Sequence, residues 1–364
     1  MRLHLYFARR FLMSFLAVFG ALFLMLSLFD LLEQVRRFGG EGVGLRGLLT
    51  LTFLNVPKSI YRIIPLITII ASIFCFLSLS RSSELVVSRA SGRPALLALV
   101  GPVAVALLIG VVSIAFLNPI VAATLKQYEA LADDVRQSGV STLSISREGL
   151  WLRQGDEDGQ TVIRASRANL NGTEMIGATF FAFDPSGTPV SRIEAARARL
   201  VAGAWELTDA KKWALGADNP EREAVVTATM TIPSDLTPDE ILDSFGDPAA
   251  VPIWDLREFI ERLETAGFSA RIHRVWYQME ISLPLLLAAM TLVGAGFTMR
   301  HTRFGKTSVM ILLALGSGFL LFFIRNFAQI LGENGQIPVL LAAWAPTAAA
   351  LLLPIALILH LEDG

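Results

Sequence analysis

The run FLMSFLAVFGALFLMLSLFDLL occupies residues 11–32, and Asp30 is its only charged side chain. At about 1.5 Å per residue, a helix of this length crosses a hydrocarbon core of about 30 Å. A secretory leader also begins with basic residues and an apolar run. Here the run is too long, and Asp30-Leu-Leu-Glu33 follows where a small-residue cleavage site would stand. The segment is expected to stay in place as a membrane helix.

Working outward, five more runs of this kind appear near 57–79, 94–117, 276–299, 307–331 and 338–360. Between 121 and 275 the chain reads as an ordinary globular sequence. Overall, 53% of residues are hydrophobic and 17% charged, with mean hydropathy +0.56. A soluble domain is less apolar and carries about 25% charge. The expected fold is a polytopic α-helical membrane protein of six transmembrane helices with an inserted all-β domain. The net charge of -1 gives no whole-chain steering toward nucleic acid. Cys75 is the one cysteine, so no internal disulfide or thiolate metal site forms.

Basic residues mark cytoplasmic loops. Arg2, Arg9 and Arg10 precede the first span, Arg81, Arg89 and Arg93 lie between the second and third, and Arg300, Arg303 and Lys306 lie between the fourth and fifth. Six spans put all three clusters on one side. Both termini are then cytoplasmic and the insert is outside. The 331–337 loop, LGENGQI, is also outside and has no Lys or Arg.

One outside region departs from that pattern. Arg36, Arg37, Arg46, Lys58 and Arg62 surround the first external loop. Such residues can snorkel at the interface. They can also form a cationic collar for an anionic ligand, because Arg offers forked donors to phosphate and Lys a point charge. Asp30, Glu33, Glu280 and Arg325, with Asn326 and Gln329, also lie toward the outer ends of their spans. Ionisable groups in a membrane mark a pathway or a mutual pair. The inner halves of the spans are nearly free of charge. That asymmetry fits a substrate entering from the outer leaflet better than an ion route across the bilayer.

Residues 140–232 alternate apolar and polar in short runs, as in Thr161-Val-Ile-Arg164 and Ala224-Val-Val-Thr-Ala-Thr-Met-Thr-Ile232. Turn residues such as Asn171-Gly172 and Asp184-Pro-Ser-Gly187 separate them. A sandwich or jelly roll fits this pattern better than a βαβ fold. Trp151, Phe180, Phe181, Phe183, Trp205 and Trp213 read mainly as core, with a lining for acyl chains as the other reading. Residues 254–268 read as an amphipathic helix with Leu256, Phe259, Ile260 and Leu263 on one face.

Between spans two and three, Ser82-Ser-Glu-Leu-Val-Val-Ser-Arg-Ala-Ser-Gly92 reads as a short helix. Ser82 or Ser83 can cap it, and Glu84 suits its first turn. Gly92-Arg-Pro94 ends it. Its apolar face, Leu85, Val86 and Val87, either lies on lipid or docks into a partner's groove. Gly305-Lys-Thr307 is not a phosphate-binding loop, because Arg300 stands where that motif needs glycine. His4, His273, His301 and His360 have no ligand spacing, and there is no Gly-x-Ser-x-Gly elbow. No site for covalent or metal catalysis is legible.

The run SELVVSRASG at 83–92 resembles the coupling-helix motif of the LptF/LptG permeases, membrane subunits of the ABC exporter that extracts lipopolysaccharide. The resemblance covers essentially the whole chain. Gln34-Val-Arg-Arg37, Asn55-Val-Pro-Lys58, Arg147-Glu-Gly-Leu-Trp151, and Ile337-Pro338 leading into Ala342-Ala-Trp-Ala-Pro346 lean toward the LptG branch. The resemblance implies a transport subunit rather than an enzyme. It implies an LptF-like permease, an LptB-like ATPase dimer that carries the ATP and Mg, an LptC-like membrane-anchored β protein and an LptA-like bridge. The insert would be a β-jelly roll. Arg36, Arg37 and Lys58 match the family's basic substrate contacts; Arg62 and Arg325 join them from charge placement alone. Ser83, Glu84, Leu85, Val86, Arg89 and Gly92 would form the coupling helix, with Glu84 facing the ATPase. The expected divisions are 1–120, with spans one to three and the coupling helix 83–92; 121–253, the periplasmic β domain; 254–275, the connecting helix; and 276–364, spans four to six. A non-transporting scaffold or sensor with a β ectodomain stays as the alternative.

Overall fold

A computed structural model describes residues 2–39, 43–82, 84, 95–136, 143–146, 149–156, 159–168, 173–234, 236, 247–265, 269–299 and 307–363. The chain divides into two compact units: Met1–Leu131 with Ala249–Ile253 and Arg271–Gly364, and Ala132–Pro248 with Trp254–Ala270. The expected Asn171-Gly172 turn and the basic residues Arg300, Arg303 and Lys306 lie outside the described residues.

The first unit is helical. Its elements are α1 (Arg2–Phe38), α2 (Leu45–Arg62), α3 (Ile64–Arg81), α4 (Ala95–Val112), a π-helical turn (Ser113–Leu117), the start of α5 (Asn118–Arg136), α7 (Arg271–Thr298), α8 (Thr307–Glu333) and α9 (Val339–Asp363). Among the described residues, six helices are long and apolar enough to cross a membrane. They match the six apolar runs of the sequence.

The second run differs in detail. It does not begin a span at residue 57; α2 ends at Arg62 and a new helix starts at Ile64. Pro65 has no N–H to offer the Tyr61 carbonyl four residues back, and its ring crowds that carbonyl, so the helix cannot run through; proline is tolerated in the first turn of the helix that follows. The Ile63 N–H turns back to the Ile60 carbonyl at 3.2 Å. The stretch before residue 57, which the sequence leaves as part of the first external loop, and the first residues of the apolar run together form the helix Leu45–Arg62, whose buried side includes Leu48, Leu51, Val56 and Ile60.

Most of α7 is buried, whereas α1 and α8 are almost bare. The core gathers Phe7, Phe11, Phe76, Leu286, Leu287 and Met290, among others. Small residues let the helices close up. A Cβ on Gly294 would lie 2.7 Å from the Ser72 side chain, and one on Gly110 would lie 2.4 Å from Pro284 Cα. Ser72 Oγ donates to the Thr291 carbonyl at 2.7 Å. Arg271 ties down the far end of α8. Its Nε donates to the Gly332 carbonyl at 2.6 Å and a terminal nitrogen to the Ile337 carbonyl at 2.7 Å.

The second unit holds an antiparallel sheet of seven strands in chain order: β1 (Leu143–Ser146), β2 (Gly149–Asp156), β3 (Gly159–Ala168), β4 (Glu174–Phe183), β5 (Pro189–Val201), β6 (Ala204–Ala214) and β7 (Val225–Pro233). Each described strand pairs with the next, so the order is an up-and-down meander. The crossing connections of a jelly roll are not among these pairings. The helix read at 254–268 is α6 (Ile253–Thr265), and it buries Leu256, Ile260 and Leu263.

The sheet carries a crease. Ala165 pairs with Ala178, Ala178 with Ala195, and Ala195 with Ala210; pairing resumes at Arg167–Ile176, Ile176–Arg197 and Arg197–Thr208. Ser166, Gly177, Ala196 and Asp209 are stepped over, as is Ala228 in β7. Across this line the buried positions fall on Met175 and Ala178, Ala195 and Ala198, Leu207 and Ala210. Strict two-residue alternation is broken in every one of these strands. Gly177 has φ +62° and Asp209 φ +53°, both left-handed. Glycine takes that conformation without penalty, and aspartate is among the few other residues that tolerate it. The row beside the crease is alanine in four successive strands, and all four are buried.

Candidate functional site

The last turn of α1 carries Glu33, Arg36 and Arg37. Cations there also complement the helix dipole. Both arginines converge on one oxygen, Glu33 Oε1: Arg36 at 2.9 Å and Arg37 Nε at 3.3 Å. Their side chains remain 78% and 50% exposed. Two cations on one carboxylate leave a net positive charge facing outward from the chain. The same helix end is anchored by polar contacts. Asn55 Nδ2 of α2 donates to Asp30 Oδ1 at 2.5 Å. Gln34, fully buried, donates to Asp30 Oδ2 at 3.3 Å and to the Tyr128 hydroxyl of α5 at 3.4 Å. These bonds fix the pitch of α1 against its neighbours, so the arginine positions are set by the fold.

Lys58 and Arg62 sit one turn apart on α2 and so share a face. Lys58 is half-buried and Arg62 is exposed. Arg325 lies on α8, half-buried, with its Nε sealed from solvent and without a hydrogen bond. It is attracted by Glu280 and Tyr61 and repelled by Arg62. Of the expected collar residues, Arg36 and Arg37 meet on Glu33, and Arg325 faces Glu280; Lys58 and Arg62 lie on α2.

Glu280 is 2% exposed, inside a membrane-length helix. The Tyr61 hydroxyl donates to its Oε2, and Asn118 Nδ2 donates to the same atom at 3.4 Å. Asn118 Oδ1 accepts the Ile253 N–H at 2.9 Å. One carboxylate thus joins the α2–α3 break to the residue after the π turn, and Asn118 in turn holds the Ile253 backbone. A π turn inserts an extra residue and shifts the register of the helix beyond it. Here that places Asn118 on the buried side. Reading the sequence passes over Tyr61 and Asn118; the one signal was a polar residue after a long apolar run, in Asn118-Pro119.

Of the expected coupling residues, Ser83, Leu85, Val86, Arg89 and Gly92 lie outside the described residues. Glu84 is described, half-buried, and accepts from Ser82 Oγ at 2.8 Å. The Tyr6 hydroxyl of α1 is within its hydrogen-bonding reach.

In the β unit, Trp205 and Phe180 are fully buried and meet edge to face at 6.1 Å. Trp151, Phe181 and Trp213 are half-buried and lie under cations. Arg164 covers Trp151, Arg192 covers Phe181 and Trp213, and Lys211 covers Trp213. Glu221 accepts from Lys211 at 2.5 Å and from Trp213 Nε1 at 2.6 Å, which holds its carboxyl below the usual range. Asp184 closes the β4–β5 turn by accepting from the Ser186 hydroxyl and from the Ser186 and Thr188 N–H groups; these donors hold its carboxyl low as well.

Six helices of membrane length among the described residues, with a β unit inserted in the chain between the third and fourth, describe a polytopic membrane protein. The chain belongs to the family described as the lipopolysaccharide export system permeases LptF and LptG, which residues 5–360 match. It is 25% identical over 357 residues to the lipopolysaccharide export system permease protein LptG of Escherichia coli K12, covering 95% of each chain. The same figures hold for LptG of Escherichia coli O6:H1.

Proposed function

We propose that this chain is the permease subunit of an ABC exporter that takes lipopolysaccharide from the outer leaflet of the inner membrane and passes it to a periplasmic β bridge. The observation that carries the reading is the exposed Arg36–Arg37 pair just beyond the long apolar and largely bare stretch of α1. Phosphates on the lipid would meet the guanidinium groups, which suit forked contacts. Acyl chains would lie on the uncovered faces of α1 and α8, where Phe29, Leu320, Phe323 and Phe327 are exposed. Lys58 and Arg62 extend the basic surface, and Arg325, whose Nε is sealed from solvent, adds charge from behind.

Energy comes from elsewhere in this reading. An LptB-like ATPase dimer holds ATP and Mg and grips the segment 83–92. An LptF-like permease supplies the other half of the cavity. LptC-like and LptA-like proteins continue the β path from the inserted β domain, which lies in the periplasm. Both termini are cytoplasmic, following the basic loops. Drawing the coupling segments together closes the cavity between α1 and α8 of the two permeases and moves the lipid upward.

Photocrosslinking from a probe at Val35, which is 45% exposed beside Arg36, tests this directly. An adduct with lipopolysaccharide that changes when the ATPase is inactivated is the expected result. No adduct in a folded, assembled complex would favour the scaffold reading instead.

A further inference from the structure

Arg36 and Arg37 already have a partner, and it is the same oxygen atom. Asp30, one turn earlier on α1, is not shared in this way, because Asn55 and Gln34 occupy its oxygens. Glu33 is 38% exposed, so a ligand and water reach all three side chains. Exposed ion pairs along a helix are weak. A phosphate offers more charge and three acceptor oxygens to the same donors.

We infer that Glu33 is a built-in competitor for the arginine pair: its carboxylate takes Arg36 and Arg37 when no phosphorylated head group is bound and yields them when one arrives. The inference rests on the export reading above and adds a release element to it. Binding must first break two ion pairs, which caps the affinity. On departure the carboxylate re-forms them, so the cations are never left bare beside an apolar surface. A transporter needs this balance, since a site that only tightens holds its cargo.

The geometry explains why this role falls to Glu33. Arg36 and Arg37 lie three and four residues beyond it, the two spacings that bring side chains together on a helix. Glutamine at the same place keeps the size and the helix but removes the charge. Losing two exposed helix ion pairs corresponds to about a fourfold change in binding.

The test uses the full chain assembled with its native partners in nanodiscs and bis-phosphorylated lipid A as the probe. Glu33→Gln is expected to bind the probe about fourfold more tightly and to release it more slowly during ATP turnover. Glu33→Asp is expected to restore wild-type binding; Glu33→Ala repeats the measurement should the glutamine variant assemble poorly. Unchanged or weaker binding in Glu33→Gln and Glu33→Ala, with Arg36→Glu/Arg37→Glu abolishing it, overturns this inference and leaves the export reading standing. Retained binding in Arg36→Glu/Arg37→Glu overturns the export reading of the collar itself. Displacement of the probe by equimolar inorganic phosphate would show a free-anion site and overturn the head-group assignment.

Discussion

Replacing Gly177 by alanine isolates the crease in the β unit. Gly177 has φ +62°. An L-residue there costs about 1–2 kcal/mol of backbone strain. The unfolded chain loses freedom when glycine becomes alanine, which offsets about 0.4–1 kcal/mol. The new Cβ would lie 2.9 Å from Ser166 Oγ and 3.4 Å from Ser166 Cβ. Ser166 is exposed, so its hydroxyl swings away cheaply. The net expectation is about 1 kcal/mol of destabilisation, or about 3–5 °C for a domain of this size. Gly187→Ala is the control: φ is +84° and nothing lies within 4 Å of its Cβ. It carries the strain without the contact. Ser166→Ala in the Gly177→Ala background removes the contact without the strain. Hydrogen–deuterium exchange across β3 to β6 in the full-length protein reads the effect locally. If Gly177→Ala matches wild type within about 0.3 kcal/mol, the left-handed residue is not what holds the crease, and the reasoning fails.

The remaining predictions concern buried and exposed carboxylates. Glu280→Leu leaves the Tyr61 hydroxyl and the Asn118 amide without their acceptor, at about 1–3 kcal/mol each, and thermal unfolding in detergent should drop accordingly. Glu280→Gln keeps an acceptor and should lose markedly less; equal losses would show that Glu280 acts only by size. Asp184 has its folded-state carboxyl below the ordinary value, so its contribution is present above about pH 4 and fades as pH falls through the folded value. Exchange at the β4–β5 turn should therefore distinguish Asp184→Asn from wild type at pH 7, and the difference should shrink as pH falls below about 4; a difference that grows on acidification counts against the ionised turn.

The six spans were legible because a membrane demands long apolar helices, and little else satisfies it. The arginine pair was legible for a related reason: charges beside such a span stand out. Its partner in geometry, Glu33, was visible as a residue but not as a shared acceptor, because i,i+3 and i,i+4 contacts compete with other rotamers. The break at Ile63 was harder. Pro57 and Pro65 signal trouble in a helix, yet Pro57 sits inside α2 without ending it. The Glu280 cluster was illegible in its main part. Tyr61, Asn118 and Glu280 are far apart in the chain, and only tertiary packing brings them together. The strands were read from alternation, which works until the crease shifts the period. Their meander order is a fact of pairing that no local pattern carries.

The crease also constrains how this protein can change over generations. Five neighbouring strands keep one offset along a single line, from Ser166 to Ala228. An inserted or deleted residue in any of them would throw half of that strand out of step with neighbours on both sides. Length variation is therefore confined to the hairpins, where Asp184–Thr188 and Ala202–Gly203 can grow without disturbing the ladder. Lineages of this domain should diverge by substitution along the strands and by size at the turns, and the line itself should descend intact.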